Sequence, residues 1–355
     1  MAYSSGERGI LFLNACTQLD YRERAAILRA VGDPERLLSE DTDFLSVLKE
    51  ERKSLFPAPK ERKGMAEKLF QEMEKKNYFA ITPLSVDYPE ALKQIDEPPL
   101  ALFCAGNRAL LKKRKFCIVG SRMTPSWAEG LTKKVAGELS CHFVIVTGLA
   151  EGGDLAAIAG AKESGNLISV LPCGLNECYP AAHHALKESI FSCGLVISEY
   201  PLNDKARTYS FHARNRILAG LAEGVLVVSA GTRSGTSITA SRALDYGRDV
   251  FAFPYNAGAR QGEGCNDLIK KGAMLVTDSQ DILSFYGFER EQTAAPALSP
   301  EEEKVLLILR QEGELHTAII AERTGMKTYE ASAALSSLEL KGLAVKSGGN
   351  RYSAL

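Results

Sequence analysis

The chain has 355 residues, of which 45% are hydrophobic and 25% charged, so it is long enough for two or three domains with packed cores. No apolar run is long enough to cross a bilayer and no export signal precedes Asn14, so we expect no membrane association and a cytoplasmic location. A formal net charge of −1 does not exclude nucleic acid as a partner, because residues 112–288 carry 19 basic against 16 acidic side chains, a local charge of +3.

The first 75 residues have a helical pattern that ends in a charged, proline-interrupted stretch, residues 51–63. Residues 80–106 contain four prolines, which predict an extended connector with one short helix near residues 89–94. We therefore expect a small helical N-terminal domain over residues 1–75, followed by a domain of a different kind.

From Phe116 onward, short runs rich in Val and Ile alternate with helical segments. Such runs are typical of strands buried on both faces, and their alternation with helices predicts an α/β, doubly wound fold with a mostly parallel sheet over residues 76–288. Ligands of this fold bind at the carboxyl ends of the strands, where the polar residues of this chain are concentrated. The predicted strands are residues 116–119, 143–146, 167–171, 195–197, 225–228, 250–253 and 274–276.

A change of composition over residues 289–298 predicts a linker. After it, residues 301–311, 317–324 and 328–341 have helical patterns, and a hairpin with a turn at Gly348 and Gly349 follows them. This is the order of a winged helix, which we expect over residues 299–355. Its presumed recognition helix has few cations and carries Glu330 and Glu339, so partner binding is favoured over DNA reading for this module.

Two candidate anion-binding devices flank the predicted strand 225–228. One is the string F-H-A-R-N-R at 211–216, which offers the guanidinium groups of Arg214 and Arg216 around Asn215. The other is the turn from strand to helix after residue 230, where glycines and hydroxyls can cradle phosphate; its candidate residues are Arg233, Ser234, Gly235 and Thr236.

A third candidate anion site follows the first strong strand, where Gly120, Ser121 and Arg122 precede a helix that Thr124 and Pro125 are suited to begin. An ordinary turn with an exposed arginine is an equally good interpretation of this motif. The residues do not form the G-x-G-x-x-G fingerprint of dinucleotide binding.

Three further residues lie at or near predicted strand ends. Gly148 follows the second strand, and Asp154 is better explained as a helix cap than as a catalytic group. Phe211 taken alone is better explained as core, but beside two arginines and an asparagine it is favoured as a stacking surface for unpaired bases.

We predict neither a catalytic site nor a metal site nor a bound cofactor. No nucleophile is accompanied by a suitable base and orienting group. Eight cysteines at irregular spacing favour a reducing compartment. Cys173, Cys178, His183 and His184 are close together in the sequence but lack the usual spacing of a zinc site.

Residues 116–283 closely resemble the DNA-processing protein A family, also called DprA or Smf. The matching strings are I-V-G-S-R at 118–122, T-G-L-A-E-G-G-D at 147–154, V-L-P-C-G-L-N-E-C-Y-P at 170–180, S-E-Y-P at 198–201, F-H-A-R-N-R-I-L-A-G-L at 211–221, R-S-G-T-S-I-T-A at 233–240, G-R-D-V-F-A-F-P at 247–254 and G-C-N-D-L-I-K-K-G-A at 264–273. L-S-S-L-E-L-K-G-L at 335–343 resembles the family's winged-helix-like domain, and residues 1–75 match its sterile-alpha-motif-like domain more weakly. The chain departs from the family pattern at Gly153, Ile158, His212 and Tyr255.

The resemblance implies a non-enzymatic protein with an extended Rossmann domain that binds incoming single-stranded DNA in natural transformation, protects it, forms a homodimer and loads the RecA recombinase. It further implies that Gly120, Ser121 and Arg122 hold phosphates, that Phe211 stacks on a base, and that residues 214–216 line the same pocket.

Two other classes of protein remain as alternatives. Nucleotide-hydrolysing enzymes of the lysine-decarboxylase-like type share a similar sheet and a P-G-G-x-G-T-x-x-E loop, but the comparable stretch here, residues 229–236, lacks the glutamate. A transcription regulator would use the winged helix, whose charges do not favour DNA.

Overall fold

The apolar runs from Phe116 onward lie in a nine-stranded sheet in the computed structural model, which describes residues 3–232, 234–289 and 298–354. Its strands are β1 (Phe79–Ile81), β2 (Leu102–Gly106), β3 (Lys115–Gly120), β4 (Val144–Thr147), β5 (Leu167–Val170), β6 (Leu195–Ser198), β7 (Gly224–Ser229), β8 (Asp249–Ala252) and β9 (Met274–Leu275). They are ordered β1-β2-β6-β5-β4-β3-β7-β8-β9. Strands β3 to β9 are mutually parallel, so the predicted doubly wound α/β fold is confirmed.

The chain reverses its direction of progress across the sheet at β3. Strands β4, β5 and β6 are added in turn on one side of β3, and β7, β8 and β9 on the other. In open parallel sheets such a switch point opens a crevice beyond the carboxyl ends of the two strands concerned, here β3 and β7. The topology therefore selects this edge of the sheet as the place for a ligand.

The interpretation of residues 80–106 as a connector was wrong in part. The segment contains the predicted short helix but also two strands, because its prolines fall between β1 and β2 and leave the backbone N–H groups of both free to pair. β2 pairs antiparallel with β6 and extends the sheet beyond the predicted strands, with Phe103 opposite Ser198.

Helices cover both faces of the sheet and bury its side chains in two layers. Phe116 and Ile118 of β3 point into one core, and Cys117 and Val119 into the other, as alternation along a strand requires. The helices of this region are α5 (Glu90–Lys93), α6 (Ser126–Leu139), α7 (Gly153–Ala161), α8 (His184–Cys193), α9 (Thr208–Leu221), α10 (Gly235–Asp245), α11 (Glu263–Lys270) and α12 (Ser279–Phe285). Short 3₁₀ helices occupy Arg108–Lys112 and Ala181–His183.

The N-terminal residues are helical, as the sequence predicts, and bury an apolar core of their own around Phe12, Phe44 and Phe56. Their helices are α1 (Ser5–Ala15), α2 (Tyr21–Val31), α3 (Glu50–Lys53) and α4 (Pro59–Lys75), with 3₁₀ helices at Pro34–Leu38 and Asp43–Val47. Leu11 and Met73 join the core of the sheet, so these helices pack directly on it. Within the described ranges, no helix has the length and apolarity that a bilayer span requires.

Internal contacts divide the chain into two compact units with the boundary after Phe288. The second unit contains α13 (Pro300–Glu312), β10 (Leu315–His316), α14 (Thr317–Thr324), α15 (Thr328–Leu340), β11 (Ala344–Ser347) and β12 (Arg351–Ala354). β12 pairs antiparallel with both β10 and β11. The predicted winged-helix order is thus confirmed. Most of the predicted linker, residues 290–297, lies outside the described residues.

Candidate nucleic-acid interface

A cleft of about 590 Å³ opens at the carboxyl ends of β3 and β7, where the topology predicts a ligand site. The N-terminal ends of α7, α9 and α10 all contribute to it, and helix N-termini carry partial positive charge. The described residues that line the cleft are Val119, Gly120, Ser121, Arg122, Met123, Ala150, Asp154, Tyr179, Thr208, Phe211, His212, Arg214, Asn215, Leu218, Ser234, Gly235, Thr236 and Thr239. Nine of the twelve residues proposed from the sequence are among them.

The turn after β3 is held to the end of β7 by hydrogen bonds. The N–H group of Ser121 donates to the carbonyl oxygen of Ser229 at 3.0 Å, and the hydroxyl groups of Thr124 and Ser229 lie 2.7 Å apart. Gly120 permits this approach, because a Cβ there would lie 2.6 Å from Cγ2 of Val228 in β7. The prediction that Thr124 caps the next helix was wrong: Pro125 is the N-cap residue, and the Thr124 hydroxyl donates to the carbonyl oxygen of Ser121.

Arg122 is exposed and reaches over two aromatic rings at the mouth of the cleft. Its guanidinium carbon lies 5.8 Å from the ring centroid of Tyr179 and 5.7 Å from that of Phe211. The two rings meet edge to face, with their centroids 5.1 Å apart. No ion pair holds this guanidinium within the described part of the chain, so its charge is available to a ligand.

Phe211 is partly exposed rather than buried in the core. Its neighbour Tyr179 received no role from the sequence, although it lies in the string C-Y-P that resembles the family. The sequence shows that an aromatic residue lies in the long segment after β5, but it does not show that this residue contacts Phe211.

Arg214 lies at the bottom of the cleft, where it is buried and donates a hydrogen bond to the carbonyl oxygen of Val170 at the end of β5. Asp154 lies close by, and both groups approach Gly148: a Cβ at that position would be 2.3 Å from Oδ2 of Asp154 and 2.6 Å from Nη1 of Arg214. Gly148 does not line the cleft. Its lack of a side chain leaves room for the side chains of Asp154 and Arg214.

The interpretation of Asp154 as a helix cap was also wrong, because α7 begins at Gly153 with Gly152 as its N-cap, and Asp154 lies inside its first turn. The carboxylate instead accepts hydrogen bonds from the N–H groups of Gly120 at 3.4 Å and Ala150 at 3.3 Å. Burial raises the pKa of Asp154 and lowers the pKa of Arg214, while the attraction between the two charges opposes both shifts.

Arg216 does not reach the cleft, although the sequence places it two residues from Arg214. Positions two apart on a helix point about 200° away from each other. The Arg216 guanidinium donates to the carboxylate of Glu199 and lies 5.9 Å from the ring centroid of Tyr21 on α2. It therefore connects α9 to the N-terminal helices instead of offering a second cation to a ligand.

The start of α10 closes the cleft on the side of β7. Ser234 is the N-cap residue, and its hydroxyl accepts a hydrogen bond from the N–H group of Ser237 at 3.3 Å. Asn215 donates its amide to the carbonyl oxygen of Gly235 at 3.1 Å and so fixes α10 to α9. Arg233, which the sequence also proposes, lies outside the described residues.

Asp154 is the single carboxylate among the described residues of the cleft, and it is buried and bonded to backbone N–H groups. In the same described ranges, no three His, Cys, Asp or Glu side chains are grouped as a metal site would require. The cleft thus combines an exposed cation, two accessible aromatic rings and helix N-termini. This arrangement suits an anionic ligand with flat, unpaired rings.

Comparison with known proteins agrees with this chemistry. Residues 79–287 match the family model described as DNA recombination-mediator protein A, and residues 289–350 match the DprA winged helix domain. The DNA processing protein DprA of Streptococcus pneumoniae is 42% identical over 221 residues, which are 62% of this chain and 78% of the relative. Protein Smf of Escherichia coli is 37% identical over 299 residues, or 78% of each chain.

Two solved structures are also similar. DNA processing protein A from Streptococcus pneumoniae matches with a TM-score of 0.68 and 34% identity, covering 81% of this chain and 99% of its own. DNA processing protein A from Helicobacter pylori, whose structure is described as giving insights into its single-stranded DNA binding mode, matches with a TM-score of 0.54 and 30% identity, covering 59% of this chain and 95% of its own.

Proposed function

Because the chain belongs to the DNA recombination-mediator protein A family, we propose that it is a non-enzymatic DNA-processing protein that binds single-stranded DNA in the cleft at the ends of β3 and β7. The observation that carries the proposal is the position of Arg122 over the rings of Tyr179 and Phe211. The cation can bind a phosphate of the DNA, and the accessible aromatic rings beside it can stack on a base.

The same cluster favours single strands over duplex. A base can contact Phe211 or Tyr179 only if it leaves its own stack, which a single strand does at little cost and a duplex does not. The phosphates on either side of that base then meet Arg122 and the N-terminal end of α10. The similarity to the Helicobacter pylori protein, described as binding single-stranded DNA, supports this preference.

The finer parts of the proposal come from the family resemblance. We include among them protection of the incoming strand in natural transformation, loading of RecA recombinase, a cytoplasmic location and a homodimer. For the homodimer, edge strand β9 offers a surface of suitable chemistry, because Met274, Leu275 and the nearby Phe285 are exposed apolar residues at an open sheet edge.

The alternative is a nucleotide-binding hydrolase with a similar sheet. Hydrolysis would need a carboxylate that can act as a base on water, and the one described carboxylate of the cleft, Asp154, is buried and hydrogen-bonded to two backbone N–H groups. The stretch 229–236 also lacks the glutamate of the hydrolase loop. Both observations favour binding without turnover.

One set of measurements distinguishes these functions. Fluorescence anisotropy with labelled single-stranded and double-stranded oligonucleotides of matched length, at two salt concentrations, should show tighter and salt-sensitive binding of the single strand. Nucleoside monophosphates incubated with the protein should remain intact. Equal affinity for duplex, or steady release of base or phosphate, would contradict the proposal.

A further inference from the structure

The chain contains a single tryptophan, Trp127, which is half exposed (50%). It lies in the first turn of α6, directly after the turn that carries Arg122. Met123, which lines the cleft, is 74% exposed. Large apolar side chains left in water cost hydration free energy, so neighbouring exposed ones indicate a surface that a partner covers. Met123 lies at the cleft and Trp127 follows it by four residues, so the start of α6 continues the chain from the edge of the cleft.

Trp127 rests on a rigid support. The centroid of its ring system lies 4.9 Å from that of Tyr255. The Tyr255 hydroxyl donates to the carbonyl oxygen of Val228 at 2.8 Å, and its backbone exchanges hydrogen bonds with the side chain of Asn266 at 3.0 and 2.9 Å. Gly262 leaves the space for the ring, because a Cβ there would lie 1.8 Å from it. An aromatic surface held in this way loses little conformational entropy when it binds.

The end of β7 is hydrogen-bonded both to Tyr255, which supports Trp127, and to the turn that carries Arg122. Ser229 bonds the turn that carries Arg122, and the adjacent Val228 accepts the hydrogen bond from Tyr255. The loop between Tyr255 and Gly262 also carries Arg260, which is exposed and forms no ion pair among the described residues. The loop that begins at Tyr255 therefore also offers a cation for a backbone phosphate.

We propose that Trp127, supported by Tyr255, is a second base-stacking position, on which a strand already bound in the cleft places a further base as it passes over Met123. The inference rests on the proposed function and adds to it the direction in which the DNA leaves the cleft. Stacking on an aromatic ring tolerates every base, so this position contributes affinity without sequence preference.

The single tryptophan makes this position directly observable. When tryptophan is excited selectively, the emission comes from residue 127 alone. A base that stacks on the indole quenches this emission. Titration of the full chain with unlabelled oligo-dT of increasing length should leave the emission unchanged for oligonucleotides just long enough to fill the cleft. Longer oligonucleotides should quench the emission. The midpoint of this titration should equal the midpoint of the anisotropy titration with labelled oligonucleotides of the same length.

Variants test the energetic contribution. Trp127→Ala should weaken binding of long oligo-dT by roughly 5- to 150-fold and leave the shortest binding oligonucleotide unaffected. Trp127→Phe, which retains an aromatic ring, should recover most of the loss. Tyr329→Ala is the matched control, since it removes an exposed aromatic residue from the second compact unit. A thermal melt of each variant verifies that the fold is retained.

The outcomes separate this inference from the proposed function. Anisotropy that reports tight binding of long oligo-dT, together with unquenched Trp127 emission and wild-type affinity of Trp127→Ala, would overturn the second stacking position and leave the cleft as the DNA site. Failure of any single strand to bind would reject the proposed function, and the inference with it.

Discussion

Replacement of Arg122 by Ala removes an exposed cation that lies over the aromatic rings of the cleft. In the free protein this side chain contributes two cation–π contacts, to Tyr179 and Phe211, and has no ion pair among the described residues. Surface substitutions and exposed cation–π contacts each change stability little, so the free energy of unfolding should fall by no more than about 1 kcal/mol. A loss of DNA binding in this variant can therefore be read as a lost contact with the ligand.

The expected loss follows from the chemistry of a phosphate contact. A hydrogen bond to a charged group contributes about 1.5–3 kcal/mol, which corresponds to a roughly 10- to 150-fold weaker affinity. The loss should be similar for oligo-dT and for mixed sequences, because a phosphate contact carries no base information. The slope of log affinity against log salt should also become shallower by about 0.7, the value for one phosphate contact in a single strand.

Fluorescence anisotropy over a range of salt concentrations measures all three quantities. Arg242→Ala is the matched control, since it removes a partly exposed positive charge that is paired with Asp96 at 3.5 Å and lies outside the cleft. If Arg122→Ala kept wild-type affinity and salt slope, or if Arg242→Ala lost as much, Arg122 would contribute only to the general charge of the surface. The path of the DNA across the fold would then have to be redrawn.

Four further outcomes are expected. Phe211→Ala should lose about 1–3 kcal/mol of binding to single strands in anisotropy while its melting temperature stays near wild type, whereas an unfolded variant would show that the ring belongs to the core. Gly148→Ala should lower the free energy of unfolding in denaturant titrations by about 1–3 kcal/mol, since the new methyl group would overlap the buried carboxylate of Asp154, and an unchanged midpoint would contradict this. The isolated C-terminal module, residues 297–355, should bind DNA weakly or not at all in the same anisotropy assay, because it carries seven basic against eight acidic side chains; tight, salt-sensitive binding would reverse that assignment. In that unit the paired lysine lowers the pKa of Glu302 from 4.5 to about 2, so its contribution to stability should be complete above pH 4.5 and be lost as the pH falls toward 2, and Glu302→Gln should remove that part of an acid titration.

The parallel part of the sheet could be predicted because its strands are short, apolar and separated by helices. Strand β2 (Leu102–Gly106) was not predicted, although its first four residues are buried. Its neighbours in the sequence include four prolines, which at the level of local sequence indicate irregular structure. Its pairing partner, β6, lies about ninety residues later in the chain, and only the tertiary structure brings the two together.

The site was predictable in its position and less so in its geometry. The ends of β3 and β7 follow from the strand pattern, and Gly120, Ser121 and Arg122 lie there as expected. The direction of each side chain depends on helix phase and packing, which bury both Arg214 and Arg216 but on different sides of α9. Contacts between segments that are distant in the sequence, such as the edge-to-face pair of Tyr179 and Phe211, are not indicated by any local sequence pattern.

The structure assigns different tasks to the buried and the exposed charges of the cleft. Arg214 of α9 is hydrogen-bonded to the last residue of β5, and Asp154 of α7 is hydrogen-bonded to the last residue of β3. The two side chains therefore connect α9 and α7 to the sheet. Phe211 precedes Arg214 by three residues and therefore shares its face of the helix, one turn nearer the mouth. The buried guanidinium of Arg214 would lose its hydrogen bond to Val170 if α9 turned, and an unsatisfied buried donor is costly, so this bond holds α9 in a single orientation. The ring of Phe211 is consequently presented to a base in a fixed position. Arg122 contacts that ring and the ring of Tyr179 but forms no ion pair among the described residues, so its charge can bind the phosphate of any nucleotide.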